Sequence, residues 1–239
     1  ASNAIGGESL AAGKYSTAVG HGAHAKEEFD LAAGHDAIAS GGQSTAVGFN
    51  SKSTGLASNA IGSSSLAEGD HSTAVGQEAH AKANSTLAAG FQAIASGGES
   101  TAVGFKSQST GLASNAIGNL SLAEGVSSTA VGQEAHAKAD YTLAAGFSAL
   151  ASGEQSTAVG FNSKSTGFAS NAIGGQSVAA GKFSTAVGSG AKATADSTLA
   201  AGLGAIASGE QSTAVGLDSK STGYSSNAIG TTSVAAGYS

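Results

Sequence analysis

A glycine recurs every 14 residues along this 239-residue chain, from Gly6, Gly20 and Gly34 through Gly216 to Gly230. The residue two before each of these glycines is always alanine, from Ala4 and Ala18 to Ala228. No insertion or deletion breaks the register, and 17 units account for all but one residue. A strict period of this length marks a solenoid: one small structural unit is copied and stacked, each copy burying its faces against its neighbours. A second rhythm lies on top. The string SNAIG starts at Ser2, Ser58, Ser114, Ser170 and Ser226, and STAVG, LAAG and STAVG stand between, so a block of four units has itself been multiplied. With 37 glycines, 5% aromatics and no Pro, Cys, Met or Trp, the chain lacks the large side chains of a conventional core. Thin, closely packed layers are expected instead.

Within the unit, numbered so that the invariant glycine is position 6, positions 2, 4 and 6 read Ser/Thr, Ala, Gly, with Asp30 as the exception at position 2. Positions 9, 11 and 13 read Ser/Ala, Ala/Ser, Gly/Ala, with Glu27 out of pattern. Period-2 alternation in two stretches predicts two short strands per unit, joined by tight turns at positions 7–8 and 14–1. An invariant glycine at position 6 fits a strand end that needs positive φ or close backbone approach. A helix is excluded because two glycines per 14 residues each cost about 1 kcal/mol relative to alanine. A hexapeptide solenoid is excluded because six does not divide 14.

Lys and His at positions 10 and 12 turn that parity of the second strand outward, so 9, 11 and 13 face the coil interior. On the first strand, Ile/Val at positions 3 and 5 would fill the roll better than small against small. The expectation is 3/5 inward, with the Ala4 column outward against another chain. Either parity leaves this face almost uncharged, Asp30 being its one charge. An uncharged face beside a charged one predicts oligomerisation.

Several function classes fall away. The net charge of −6, with no arginine, offers no basic stripe for nucleic acid. No apolar run approaches the roughly 20 residues that cross a bilayer, and none resembles a signal segment. Thiolate chemistry is excluded by the lack of cysteine. The first residues already lie inside the repeat, so residues 1–239 read as a single repeat domain within a longer protein.

The segments SNAIGGES, SNAIGSSS, STAVGFNS and STAVGQEA resemble the head repeats of trimeric autotransporter adhesins, the YadA-like heads, over the whole chain. The resemblance implies an all-β, left-handed parallel β-roll of about 17 coils, assembled as a homotrimer. It also implies display on a bacterial surface and anchorage in the outer membrane through other regions. Matching motif positions are Ser2, Ala4, Ile5, Gly6 and Ser9, and again Ser58, Ala60, Ile61, Gly62 and Ser65. Asn3 stands where the family motif has Val, and Ala1 where it has Asn. Collagen binding is therefore not carried over from the family, whereas adhesion in general is.

Candidate chemistry is sparse. His24, His80 and His136 share one position in successive blocks, roughly 19 Å apart on the strand spacing, and cannot share an ion. A site between chains, or His21 with His24, is what remains, and the bland reading, exposed repeat-equivalent histidines with no metal, is preferred. Position 10 alternates coil by coil, as Leu10, His24, Ile38, Lys52, Leu66 and His80. Long polar stems covering aliphatic neighbours explain this structurally, and a patterned adhesive face explains it functionally. Position 7 supplies Phe49, Phe91, Phe105, Phe147 and Phe161, two pairs of them one coil apart, as stacked turn edges or a ligand platform. With the three histidines these form the candidate adhesive surface.

Acidic residues recur singly, and no unique nucleophile–base–orienter set exists, so no enzyme and no cofactor is expected. A Gly-rich phosphate loop lacks its strand–loop–helix setting, and the paired-glycine calcium nonapeptide is absent. An ice-binding array fails because Leu31 interrupts Thr17 and Thr45. The function expected is an adhesive head attaching multivalently to matrix proteins, host cells or abiotic surfaces. The alternative is a stiff spacer with no ligand of its own.

Overall fold

The computed structural model describes residues 1–237 as β-strands and tight turns, with no helix among them. Each coil contributes a three-residue strand, such as Thr17–Val19, and a two-residue strand, such as His24–Ala25. The chain divides into two compact units, Ala1–Leu120 and Ser121–Ser239. In the first, nine three-residue strands from Asn3–Ile5 to Asn115–Ile117 form one parallel sheet, and eight two-residue strands form another. In the second, eight three-residue strands from Thr129–Val131 to Asn227–Ile229 face nine two-residue strands. Pairing is in register at a sequence separation of 14. Thr17 stands opposite Asn3 and Leu31, and His80 stands between Leu66 and Ile94. Each unit is a parallel β-solenoid, as the period requires.

The turns are ladders too. At positions 8 and 1 the backbone takes left-handed φ whatever the residue, as at Tyr15 (59°), Phe29 (61°), Lys106 (52°) and Ala113 (53°). Positions 6–9 close with a bond from Ala23 N–H to Gly20 C=O (3.4 Å), and positions 13–2 with Ser58 N–H to Gly55 C=O (3.2 Å). Positive φ at the third residue is what a type II turn demands. The strain is offset because the left-handed residue also donates to the preceding coil, as in Asp36 N–H to His21 C=O (3.0 Å) and Phe29 N–H to Lys14 C=O (3.0 Å). Position 6 needs glycine on both counts. Gly62 has φ +133°, and a Cβ there would sit 2.5 Å from the Gly76 carbonyl oxygen.

The interior consists of methyl and hydroxymethyl groups. Ala18, Ala23, Ala25 and Ala32 are fully buried, as are Ala186, Ala191 and Ala193 in the second unit. The parity of the first strand is therefore the opposite of the sequence expectation. Positions 2 and 4 face inward, while Thr17 is half-buried and Val19 is exposed, so positions 3 and 5 face outward. The reason is thickness. Turns of two residues hold the two sheets too close for Val or Ile between them, whereas ordinary sandwiches separate by about 10 Å. Positions 9 and 11 face inward as expected, with Ala79 and Ala81 fully buried. Position 13 opens the second turn and leaves Glu27 exposed and Ala83 half-buried, against the expectation that it faces inward.

Asp30 changes sides with its column. It is 1% exposed, not an exception on the outer face. Its carboxylate accepts from Glu27 N–H (2.9 Å), Ser44 N–H (2.9 Å) and the Ser44 hydroxyl (2.8 Å). At the equivalent positions Thr86, Thr142 and Thr198 donate to the carbonyls of Ala83, Ala139 and Ala195, each at 2.7 Å. At position 11, one coil in four carries serine in place of alanine. There Ser53 meets Ser58, Ser109 meets Ser114 and Ser165 meets Ser170, each pair 2.6 Å apart.

Candidate functional site

With the interior closed, any function belongs to the outward columns. The family-motif positions divide accordingly. Ser58 and Ala60 are fully buried and Ser65 is 1% exposed, so these shape the coil. Ile61, at 42%, faces solvent, as does Ile5 in the first coil. Positions 3 and 5 carry no charged residue in any coil; Val19, Val75 and Ile117 stand out from the first unit, and Val131, Ile173 and Val187 from the second. This is a continuous uncharged ridge on each three-residue-strand sheet.

The aromatic column lies at the turn edge. Phe91 stacks on Phe105 (ring centroids 5.3 Å apart) and Phe147 on Phe161 (5.5 Å), all four exposed. Phe49 stacks instead on His35 at 5.4 Å, and His35 on His21 at 5.1 Å. At the other turn, Tyr15 stacks on Phe29 at 5.3 Å and Phe168 meets Phe183 edge-on at 5.5 Å. Those two pairs were missed in the sequence because positions 14 and 1 carry aromatics only sporadically. The spacing of 14 was the signal available for Tyr15 and Phe29.

Among the described residues, a metal reading has one group to test. His21, His35 and Asp36 place potential ligand atoms within 4.8 Å of one another, so His21 finds His35 as its partner, not His24. The two imidazoles are stacked with planes 16° apart, and ring nitrogen lone pairs lie in those planes. They point alongside each other and do not converge on a point about 2 Å from both, as zinc would need. His35 Nδ1 is also engaged by the Asp36 carboxylate at 2.9 Å. His24, His80 and His136 sit singly, half-buried, on the two-residue-strand face.

Shallow grooves open between the position-8 and position-10 columns of that face. In the first unit, Lys52 and His80 flank Leu66 around a groove of about 330 Å³ rimmed by Asn50 and Ser64. In the second, His136 and Lys164 flank Leu150 around one of about 320 Å³, with Glu134, Lys138, Ser148 and Asn162 at the rim. Each groove runs polar, aliphatic, polar along position 10, but the two lie six coils apart in the sequence and are not equivalents within the four-coil block. None of these grooves gathers a nucleophile, a base and an orienter.

No curated protein matches the sequence. Among solved structures, the collagen-binding domain of the Yersinia adhesin YadA is similar at 26% identity, covering 56% of this chain and 67% of that one, with a TM-score of 0.41. The family model for the YadA head domain repeat matches segment after segment from residue 3 to residue 219, including 3–23, 25–51, 53–79, 81–107, 109–135, 137–163, 165–191 and 193–219. That family is an adhesin structural repeat and not a family of enzymes. With its 14-residue coils, its alanine interior and its laddered turns, the chain belongs to the YadA head domain repeat family.

Proposed function

We propose that this chain is the adhesive head of a bacterial trimeric autotransporter, a left-handed β-roll in which residues 1–239 act as one domain. Three copies associate and present their outer columns to matrix proteins, host cells or abiotic surfaces. The molecule is held at the cell surface, with its outer-membrane anchor in regions other than the repeat. The observation that carries this reading is the uncharged ridge of Val, Ile, Thr and Asn at positions 3 and 5. A solvent-facing apolar stripe repeated coil after coil is a surface for other copies, and repetition of one ligand-facing column suits avidity.

Light scattering of the purified chain should give the mass of three chains, and a stable monomer at micromolar concentration would overturn the assembly. Binding to immobilised matrix proteins, cultured cells and plastic tests adhesion. The second reading is a stiff spacer with no ligand of its own, and the near-identity of the 56-residue blocks suits both readings equally. Replacing one block with unrelated rod sequence of the same length separates the two, because a spacer keeps its function and an adhesive head loses attachment.

A further inference from the structure

Position 10 obeys a rule stricter than the block requires. Every odd-numbered coil is aliphatic there: Leu122, Leu150, Val178, Ile206 and Val234 in the second unit. Every even-numbered coil in that unit is basic: His136, Lys164, Lys192 and Lys220. Strand pairing makes these direct neighbours, with Lys164 between Leu150 and Val178, and Lys192 between Val178 and Ile206. The lysines are exposed and the aliphatic residues between them half-buried. Cations therefore recur every two coils, about 9.6 Å, twice the strand spacing.

Charge is segregated around the coil. From Lys138 to Ser208 no acidic residue occupies the outward positions 8, 10 or 12, although the whole chain carries a net charge of −6. The acids of that stretch, Asp140, Glu154 and Asp196, stand at position 14, on the opposite turn. Glu124 and Glu134 bound the stretch on one side, and Asp218 on the other. The cationic strip with aliphatic floors is thus clear of carboxylates from Lys138 to Ser208, with Glu134 beside His136 at one end and Asp218 beside Lys220 at the other.

We propose that this face of residues 136–220 binds a linear acidic polysaccharide bearing one carboxylate on every second sugar ring. The inference rests on the adhesive reading and names its ligand class. Carboxylates would pair with Lys164, Lys192 and Lys220, and the apolar faces of intervening rings would lie over Leu150, Val178 and Ile206. Asn162, Ser148 and Thr166 supply rim donors and acceptors for sugar hydroxyls. Duplex nucleic acid fits poorly, because its charge recurs about every 1.7 Å and single strands need aromatic platforms, which position 10 lacks. An acidic peptide finds no open strand edge to pair with on this face, since the ladder below is already closed.

The test is titration calorimetry of the full chain with a hyaluronan decasaccharide, beside a dextran fragment of equal length, polyaspartate and a short DNA duplex. The decasaccharide should bind, more weakly as salt rises. Lys192→Gln should weaken it about fivefold and Lys192→Arg should not. The combined Lys164→Gln, Lys192→Gln, Lys220→Gln variant, with unchanged mass and β-sheet spectrum, should lose at least about a hundredfold. Parental affinity in that triple variant would overturn the proposal. So would equal binding of dextran, polyaspartate or DNA. Attachment to surfaces without decasaccharide binding refutes this site and leaves adhesion standing. Decasaccharide binding without any surface attachment supports the site and refutes the adhesive reading.

Discussion

At the scale of single residues, the fold is governed by what a Cβ can and cannot tolerate. The position-6 glycine is excluded from substitution twice over, by φ and by the carbonyl of the next coil. Gly62→Ala should therefore cost about 2–3 kcal/mol, read as a lowered midpoint in denaturant unfolding. Position 1 is strained without being crowded. Ala113 holds φ 53° with only a methyl group, so Ala113→Gly should gain about 0.5 kcal/mol, relief of left-handed strain slightly exceeding the entropy added to the unfolded chain. Unchanged stability in both variants would refute this account of the turns. Asp30 is a third kind of residue, an acceptor where its equivalents are donors. Asp30→Ala strands the N–H groups of Glu27 and Ser44 and should cost about 2–3 kcal/mol. Asp30→Thr, which can donate to the Glu27 carbonyl as Thr86 does to Ala83, should cost less than half as much; equal losses would show that the carboxylate has no such role.

At the scale of the strand, inward and outward parity decides everything that follows. Ile61 and Val187 project from the three-residue strands into solvent within their units, so a charge there is harmless to the coil and hostile to an apolar interface. Ile61→Glu should leave the β-sheet spectrum intact and shift the scattering mass from three chains toward one; an unchanged trimer would place the interface elsewhere. The period, the two strands and the turn positions were all legible in the sequence, because invariant glycine and alternation encode them directly. The parity of the first strand was not. Alternation says that two faces differ but not which is inside, and choosing the larger side chains for the core presumed a sheet separation that two-residue turns do not allow. Lys and His settled the second strand because a charge identifies solvent, and the first strand offered only Asp30, the one acid that is buried. The stacked pairs Phe91–Phe105 and Phe147–Phe161 were readable from spacing. The histidine stack does not show in the pair His21 and His24, three apart along the chain, because the neighbour that matters is 14 away.

At the scale of the whole molecule, coil number and coil order become separable. Within each unit, coil meets coil through the same ladder and the same position-6 glycine contacts, so removal of one whole coil from the second unit rejoins the chain in register. Removal of residues 197–210 takes out the coil of Ile206 and sets Ser212 after Ala195, where its hydroxyl can donate to the carbonyl as Thr198 does. The shortened chain should fold with an unfolding midpoint within about 1 kcal/mol of the parent, since an array loses only one repeat and one interface. Its position-10 column changes in kind, because Lys192 becomes the direct neighbour of Lys220, about 4.8 Å away, with no aliphatic floor between. The same deletion removes Glu210 and makes the molecule less acidic. If attraction depended on charge alone, decasaccharide affinity would rise. If it depends on cations set two coils apart over an apolar floor, affinity should fall about fivefold, as one pairing of lysine with carboxylate is lost. The two physical accounts give opposite signs for one variant. Calorimetry on that variant therefore decides whether the alternation at position 10 is a spacing for a ligand or merely a way of keeping lysines apart.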